Sequence, residues 1–203
     1  FVLAGIFLLS ILVVGLSPSP AVSETIKLTY ANFPPAPTFP CIQMEKWKTV
    51  VEKRTNGKVS IQTFPGGTLL KAKGMLDGVI AGTADIGCLC MAYQPGRFMV
   101  TNATALPVGF PNATVASLTL WDIYHKYEPK EFADVKVLTM FTTAPANIYA
   151  KKPVHNLDDL RGLELRASGG AAQVLKVLGA TPVGMPQSET PEALRKGVVQ
   201  GAF

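Results

Sequence analysis

Few residues in this chain are placed to do chemistry, and Arg166 is foremost among them. It closes the apolar segment Leu163-Glu164-Leu165-Arg166-Ala167, which is followed by Ser168-Gly169-Gly170 and a run of small residues. That order predicts a strand, a tight turn and a helix start. In open α/β sheets, ligands bind beyond the carboxyl ends of strands. A helix N-terminus at that place adds free backbone N–H groups and the positive end of a dipole. A guanidinium adds a planar fork of donors that matches a carboxylate. The segment therefore reads as an anion clamp. A surface Arg, or an Arg paired with a structural Asp, fits the same spacing, and the residues by themselves leave the choice open.

The other candidates lack the companions their chemistry needs. The stretch 66–74, GGTLLKAKG, holds Gly and Lys without the spacing of a phosphate-binding loop. No Gly-x-Ser-x-Gly elbow occurs. His125 and His155 stand in polar surroundings without metal-ligand spacing and read as solvated surface residues. Asp158-Asp159 opens a helical stretch, where acids favour the helix dipole. Cys41, Cys88 and Cys90 make an odd count, and Cys88-Leu89-Cys90 is neither a redox nor a zinc pattern. In a strand 88 and 90 share a face, and the bland reading is small buried hydrophobes. Asn102-Ala-Thr and Asn112-Ala-Thr fit the glycosylation pattern, which is a weak one. No catalytic pair, metal site or cofactor is expected.

The elements that must position Arg166 follow from periodicity and punctuation. Strands are predicted at 26–31, 58–64, 84–90, 135–141, 147–150 and 163–167, with a last one opening at about 198. Helices are predicted at 40–55, 72–81, 115–127 and 170–178. Asn156 is expected to cap a short helix at 157–162. Thr190 is expected to cap another, with Pro191 in its first turn and Gly197 at its end. Strand–helix alternation of this kind predicts an α/β architecture with largely parallel sheets. A break falls at 142–147, where TTAPAN interrupts two strands. The final strand has no terminating element, so the second unit is expected to be truncated at residue 203.

Composition sets the limits. The chain has 203 residues, 48% hydrophobic and 16% charged, which allows a packed core. Residues 1–16 are apolar or small, and SPSPAVS follows before Glu24. This reads as the apolar core and cleavage site of a secretory signal peptide, and it is short for a membrane anchor. The chain does not begin with Met and shows no basic lead, so its true start is expected upstream. The net charge of +5 is dispersed, with no Lys/Arg block interleaved with aromatics, which argues against nucleic acid. A mild positive field suits a small anion.

Four stretches together resemble a known family: TNGKVSIQTFPGGTL (55–69), GVIAGTADIG (78–87), LDDLRGLELRASGG (157–170) and LGATPVGMPQSETPEALRKGVVQG (178–201). In order and spacing they are similar to the solute-binding subunits of tripartite ATP-independent periplasmic (TRAP) transporters, the DctP family. The likeness runs from about 26 to 203. It implies a two-lobed periplasmic-binding-protein-like fold of the type II kind: a signal peptide at 1–23, a first α/β lobe at 24–145, and the start of a second at 146–203. It implies a non-enzymatic, periplasmic receptor that hands a small organic acid to TRAP membrane subunits. The family's carboxylate-binding Arg falls on Arg166. Phe33, Cys90, Tyr93, Asn147, Gly169 and Gln187 are implied as cleft residues.

The pattern also departs from the family. Members that bind sialic acid carry a second Arg near Asn147 and charged residues near Cys90 and Tyr93. Neutral or aromatic residues stand here, which suits a monocarboxylate with an apolar body. Gln200 stands where an Asp is usual. A sensor domain of a signalling receptor and an α/β enzyme are the alternatives. The enzyme would need a base or nucleophile beside Arg166.

Overall fold

The computed structural model describes residues 24–203, so the signal-peptide reading of 1–23 lies outside the described residues. Two parallel-dominated sheets organise the chain. The first has the order β2-β1-β3, with β1 (Ile26–Asn32) between β2 (Val59–Phe64) and β3 (Ile86–Cys88), all parallel. Parallel neighbours need crossovers. These are α1 (Phe39–Arg54) and α2 (Met75–Ile80), the latter entered through a 3-10 turn at Ala72–Gly74. Pro at the start of α1 has no N–H to leave unsatisfied. Asn56 and Gly57, both at positive φ, turn the chain out of the helix and into β2.

The second sheet has the order β4-β7-β5-β6. Here β5 (Glu164–Ala167) lies parallel to β6 (Thr181–Gly184) and β7 (Gly201–Ala202), and β4 (Tyr149–Ala150) runs antiparallel to β7. The helices α4 (Gly170–Val177) and α5 (Thr190–Lys196) make its crossovers. Between the sheets, α3 (Ala113–Tyr127) is capped by Asn112, whose Oδ1 accepts the Val115 N–H.

Each sheet has its own core. Ala31, Phe33, Ala72, Met75 and Ala84 close one face of the first, with Tyr93 and Cys90 packed at its margin. Leu160, Leu165, Ala167, Leu175 and Ala180 form the second. Leu165 and Leu175 are fully buried; at about 25 cal/mol per Å², each contributes about 2 kcal/mol. A third cluster joins Leu76, Phe98 and Phe132. Both central strands, β1 and β5, point their C-terminal ends toward the same region of the molecule, where Tyr93 meets Arg166.

Several expected elements differ. Residues 135–141 are apolar but form no strand, because no described segment pairs with their backbone; Val135, Val137 and Met140 instead pack on the third cluster. The third strand ends at Cys88, so Cys90 lies outside it. The second helix opens as a 3-10 turn at Ala72–Gly74 before α2. Thr190 is no cap. A 3-10 turn at Gln187–Glu189 runs into α5, so Thr190 is already helical, and among the described residues its buried hydroxyl has no partner. Asn156 does cap: its Oδ1 accepts the N–H groups of Asp158 and Asp159, while Asp159 accepts those of His155 and Asn156.

Candidate functional site

Arg166 is the penultimate residue of β5, buried with only 7% of its surface exposed. The strand register holds its backbone on both sides, against Val183 of β6 and Ala202 of β7. Its side chain is held as tightly. Nε donates to the Met185 carbonyl at 3.0 Å, and Nη2 donates to Tyr93 Oη at 3.3 Å and reaches Ser168 Oγ at 3.5 Å. Among the described residues Nη1 makes no hydrogen bond, and no carboxylate lies within ion-pair reach of the guanidinium. The structural-Asp explanation is therefore not what the described residues present.

The turn after β5 brings a helix start to the same place. Gly169 caps α4 at φ +56, a conformation that disfavours side chains. A Cβ there would stand 2.9 Å from Ala92 Cβ, so the missing side chain is also what lets the two sheet units approach. Gly170, Ala171 and Ala172 carry nothing larger than a methyl over the first turn of α4.

Tyr93 comes from the first unit, in a 3-10 turn at Met91–Tyr93. Its ring stands edge-on to Phe33, with centroids 5.4 Å apart, and the Arg166 guanidinium carbon lies 5.9 Å from its centroid. The Gln187 backbone N–H donates to its hydroxyl at 2.9 Å. Burial pushes the Tyr93 phenol up, with the Gln187 N–H and Arg166 pulling the other way. Burial likewise raises the Cys90 thiol against the opposing pull of the Ala92 backbone, Arg166 and Tyr93. Cys88 is driven up to about 11, again by burial first. All three cysteines are free thiols. Raised values keep Cys88 and Cys90 protonated at neutral pH, as packing groups rather than nucleophiles.

Of the seven residues singled out, six gather here. Arg166, Tyr93, Gln187 and Phe33 form one contact chain, with Cys90 and Gly169 beside it. Asn147 is not in that chain. It is exposed and lines a surface concavity with Ile148, Lys152, Val154 and Phe203. That concavity abuts β5, since the Phe203 N–H donates to the Arg166 carbonyl. Met185, Ser168 and Ala92 complete the surroundings. Met185 acts through a backbone oxygen, which no side-chain pattern reveals. Gln200 has a local role: its Oε1 accepts the Glu164 N–H at 2.7 Å and its own N–H donates to the Glu164 carbonyl, tying β7 to β5.

A two-lobed α/β protein with a buried cation at the strand ends between its lobes is the architecture of a solute-binding protein. The chain belongs to the DctP family, bacterial extracellular solute-binding protein family 7, whose model matches residues 31–203. A TRAP periplasmic solute-binding protein from Desulfovibrio salexigens is 63% identical, with a TM-score of 0.72, covering 89% of this chain and 56% of that one. A marine metagenome TRAP solute-binding protein specific for aromatic acids, solved with 3-hydroxybenzoate, is 32% identical with a TM-score of 0.83, covering 88% and 57%. A monocarboxylate 2-oxoacid-binding periplasmic protein from Nostoc is 30% identical over 75% of this chain and 43% of its own length. The chain thus spans about half the length of the relatives it matches.

Proposed function

We propose that this chain is the ligand-capturing part of an extracytoplasmic receptor that takes up a small organic acid on Arg166 and delivers it to the membrane subunits of a TRAP-type transporter. The observation that carries this reading is the state of Arg166. A charge buried to 7% exposure, with Nη1 unused and no carboxylate in reach among the described residues, lacks its countercharge. Leaving a buried charge unpaired is costly, and a ligand carboxylate removes that cost. The Phe33 and Tyr93 rings supply an apolar wall for the acid's body, with Cys90, Gly169 and Gln187 around it and Asn147 at the far edge. Capture and release require no bond to be made or broken, so the protein is a receptor and not an enzyme. Residues 24–145 form the first lobe and 146–203 enter the second, with 1–23 as the leader that directs export to the periplasm.

The test is calorimetric titration of the full-length protein with benzoate, 3-hydroxybenzoate and pyruvate. Arg166→Ala is expected to weaken binding by about 2–5 kcal/mol, the scale for opening a buried charge pair. An Arg166→Ala protein that binds as tightly as wild type would sink the assignment.

A further inference from the structure

Tyr93 sits in the first lobe, yet the partners of its hydroxyl belong to the second. Its Oη accepts the Gln187 N–H at 2.9 Å and Arg166 Nη2–H at 3.3 Å. Among the described residues, these are the side-chain hydrogen bonds that join the body of β1–β3 to that of β4–β7. The ring is fixed as well, edge-on to Phe33 and beneath the guanidinium. A phenol oxygen has two lone pairs and one proton. Both lone pairs are taken here, so its one remaining capacity is the O–H donor. Cys90, packed on the same core cluster, offers it only a weak sulfur acceptor. The guanidinium beside it has Nη1 unused.

We propose that Tyr93 is the first lobe's ligand-gripping residue: its hydroxyl steadies the Arg166 fork as an acceptor and donates its own proton to the carboxylate that Arg166 binds. This rests on the carboxylate reading given above and adds to it. The acid is then held by one donor group from each lobe. A carboxylate oxygen, unlike an amine, can accept from both donors at once, and a donor-bearing ligand group would meet donors on both sides. Specificity for an anion therefore comes from two residues that are 73 positions apart.

The experiment uses the full-length protein, benzoate as probe, and the Tyr93→Phe variant, which keeps the ring on Phe33. Calorimetry is expected to show benzoate binding weakened about 10- to 100-fold, the scale for losing a hydrogen bond to a charged group. Small-angle X-ray scattering is expected to show a larger radius of gyration for the ligand-free variant than for ligand-free wild type, with the melting temperature held. Binding as tight as wild type, or tighter, overturns the proposal, since the hydroxyl would then compete with the carboxylate for Arg166 and Gln187. A melting temperature that falls in step with affinity also overturns it, by marking the hydroxyl as a structural tie. If Arg166→Ala abolishes binding while Tyr93→Phe leaves it intact, this proposal alone fails. Wild type that binds none of benzoate, 3-hydroxybenzoate and pyruvate overturns both readings together.

Discussion

The central strands of the two sheets end in opposite ways. In the second sheet the last residue but one of β5 is Arg166, buried at 7% exposure and held by Met185 and Tyr93. In the first sheet β1 ends on Asn32, sealed at 0%, and among the described residues neither Oδ1 nor Nδ2 of its side chain has a partner. Around Asn32 the neighbours are soft or neutral: Cys88 lies opposite it in register, and Tyr30 on the same face is pushed up to about 12 by burial, with Cys88 and Cys41 adding to the shift. Both residues are buried polar groups near the C-terminal ends of their strands, but their unused atoms differ. Those of Arg166 belong to a cation that retains an opening and a spare donor; those of Asn32 are shut away. The first arrangement invites a ligand, and the second only burdens the fold.

That contrast makes the second lobe sensitive to geometry at constant charge. Arg166→Lys keeps the cation but loses the fork, so it cannot reach Met185 and Tyr93 together. Calorimetry with benzoate is expected to show a loss of about 2–3 kcal/mol, the scale of a charge-assisted hydrogen bond. Affinity equal to wild type would mean that charge alone suffices. Gly169→Ala is expected to cost less, about 1–2 kcal/mol, by placing a side chain at φ +56 and against Ala92. Its loss should appear in both the melting temperature and benzoate affinity, and an unchanged melting temperature would contradict the strain argument.

The legible parts of the molecule are the local ones. A strand carrying Arg166 near its end, a Gly-Gly turn and a helix of small residues are all written within 163–178, and the structure has them there. What the residues could not disclose is what Arg166 leaves unpaired, because that depends on partners far along the chain. Tyr93 and Gln187 are 94 positions apart, and only the family likeness placed both near a cleft. The elements that differ do so for two reasons. Residues 135–141 have a strand's composition, but a strand also needs a neighbour, and composition does not name one. Thr190 has the chemistry of a cap, but the preceding 3-10 turn drew it inside the helix.

The first lobe tests the other half of the contrast. Asn32→Leu replaces a carboxamide with an apolar group of similar shape and removes two unsatisfied atoms. The expected outcome is a gain of about 1 kcal/mol in denaturant unfolding, because apolar replacement of an unpaired buried polar group is neutral to stabilising. A clear loss would show that the carboxamide has a partner that the described residues do not supply. Benzoate affinity should stay unchanged, which separates this position from Arg166.

The smallest expected effect concerns a polar group in the first sheet that is satisfied and near the surface. Asp85 Oδ2 accepts both the backbone N–H and the hydroxyl of Thr29, each at 2.7 Å, while the Asp85 N–H donates to Thr29 Oγ1. These contacts tie the entry to β3 onto β1, and the Thr29 backbone N–H, followed by the hydroxyl, holds the Asp85 carboxyl below its usual value. A carboxylate lowered in the folded state adds stability that is fully present above its unfolded value, about 3.9, and is lost as pH falls through the lower folded value. Asp85→Asn should therefore melt slightly below wild type at pH 7, and the gap should close below about pH 4. Because Asp85 is exposed, solvent screening keeps the gap small. A gap that persists undiminished at pH 3 would show that the tie to Thr29 does not depend on the charge.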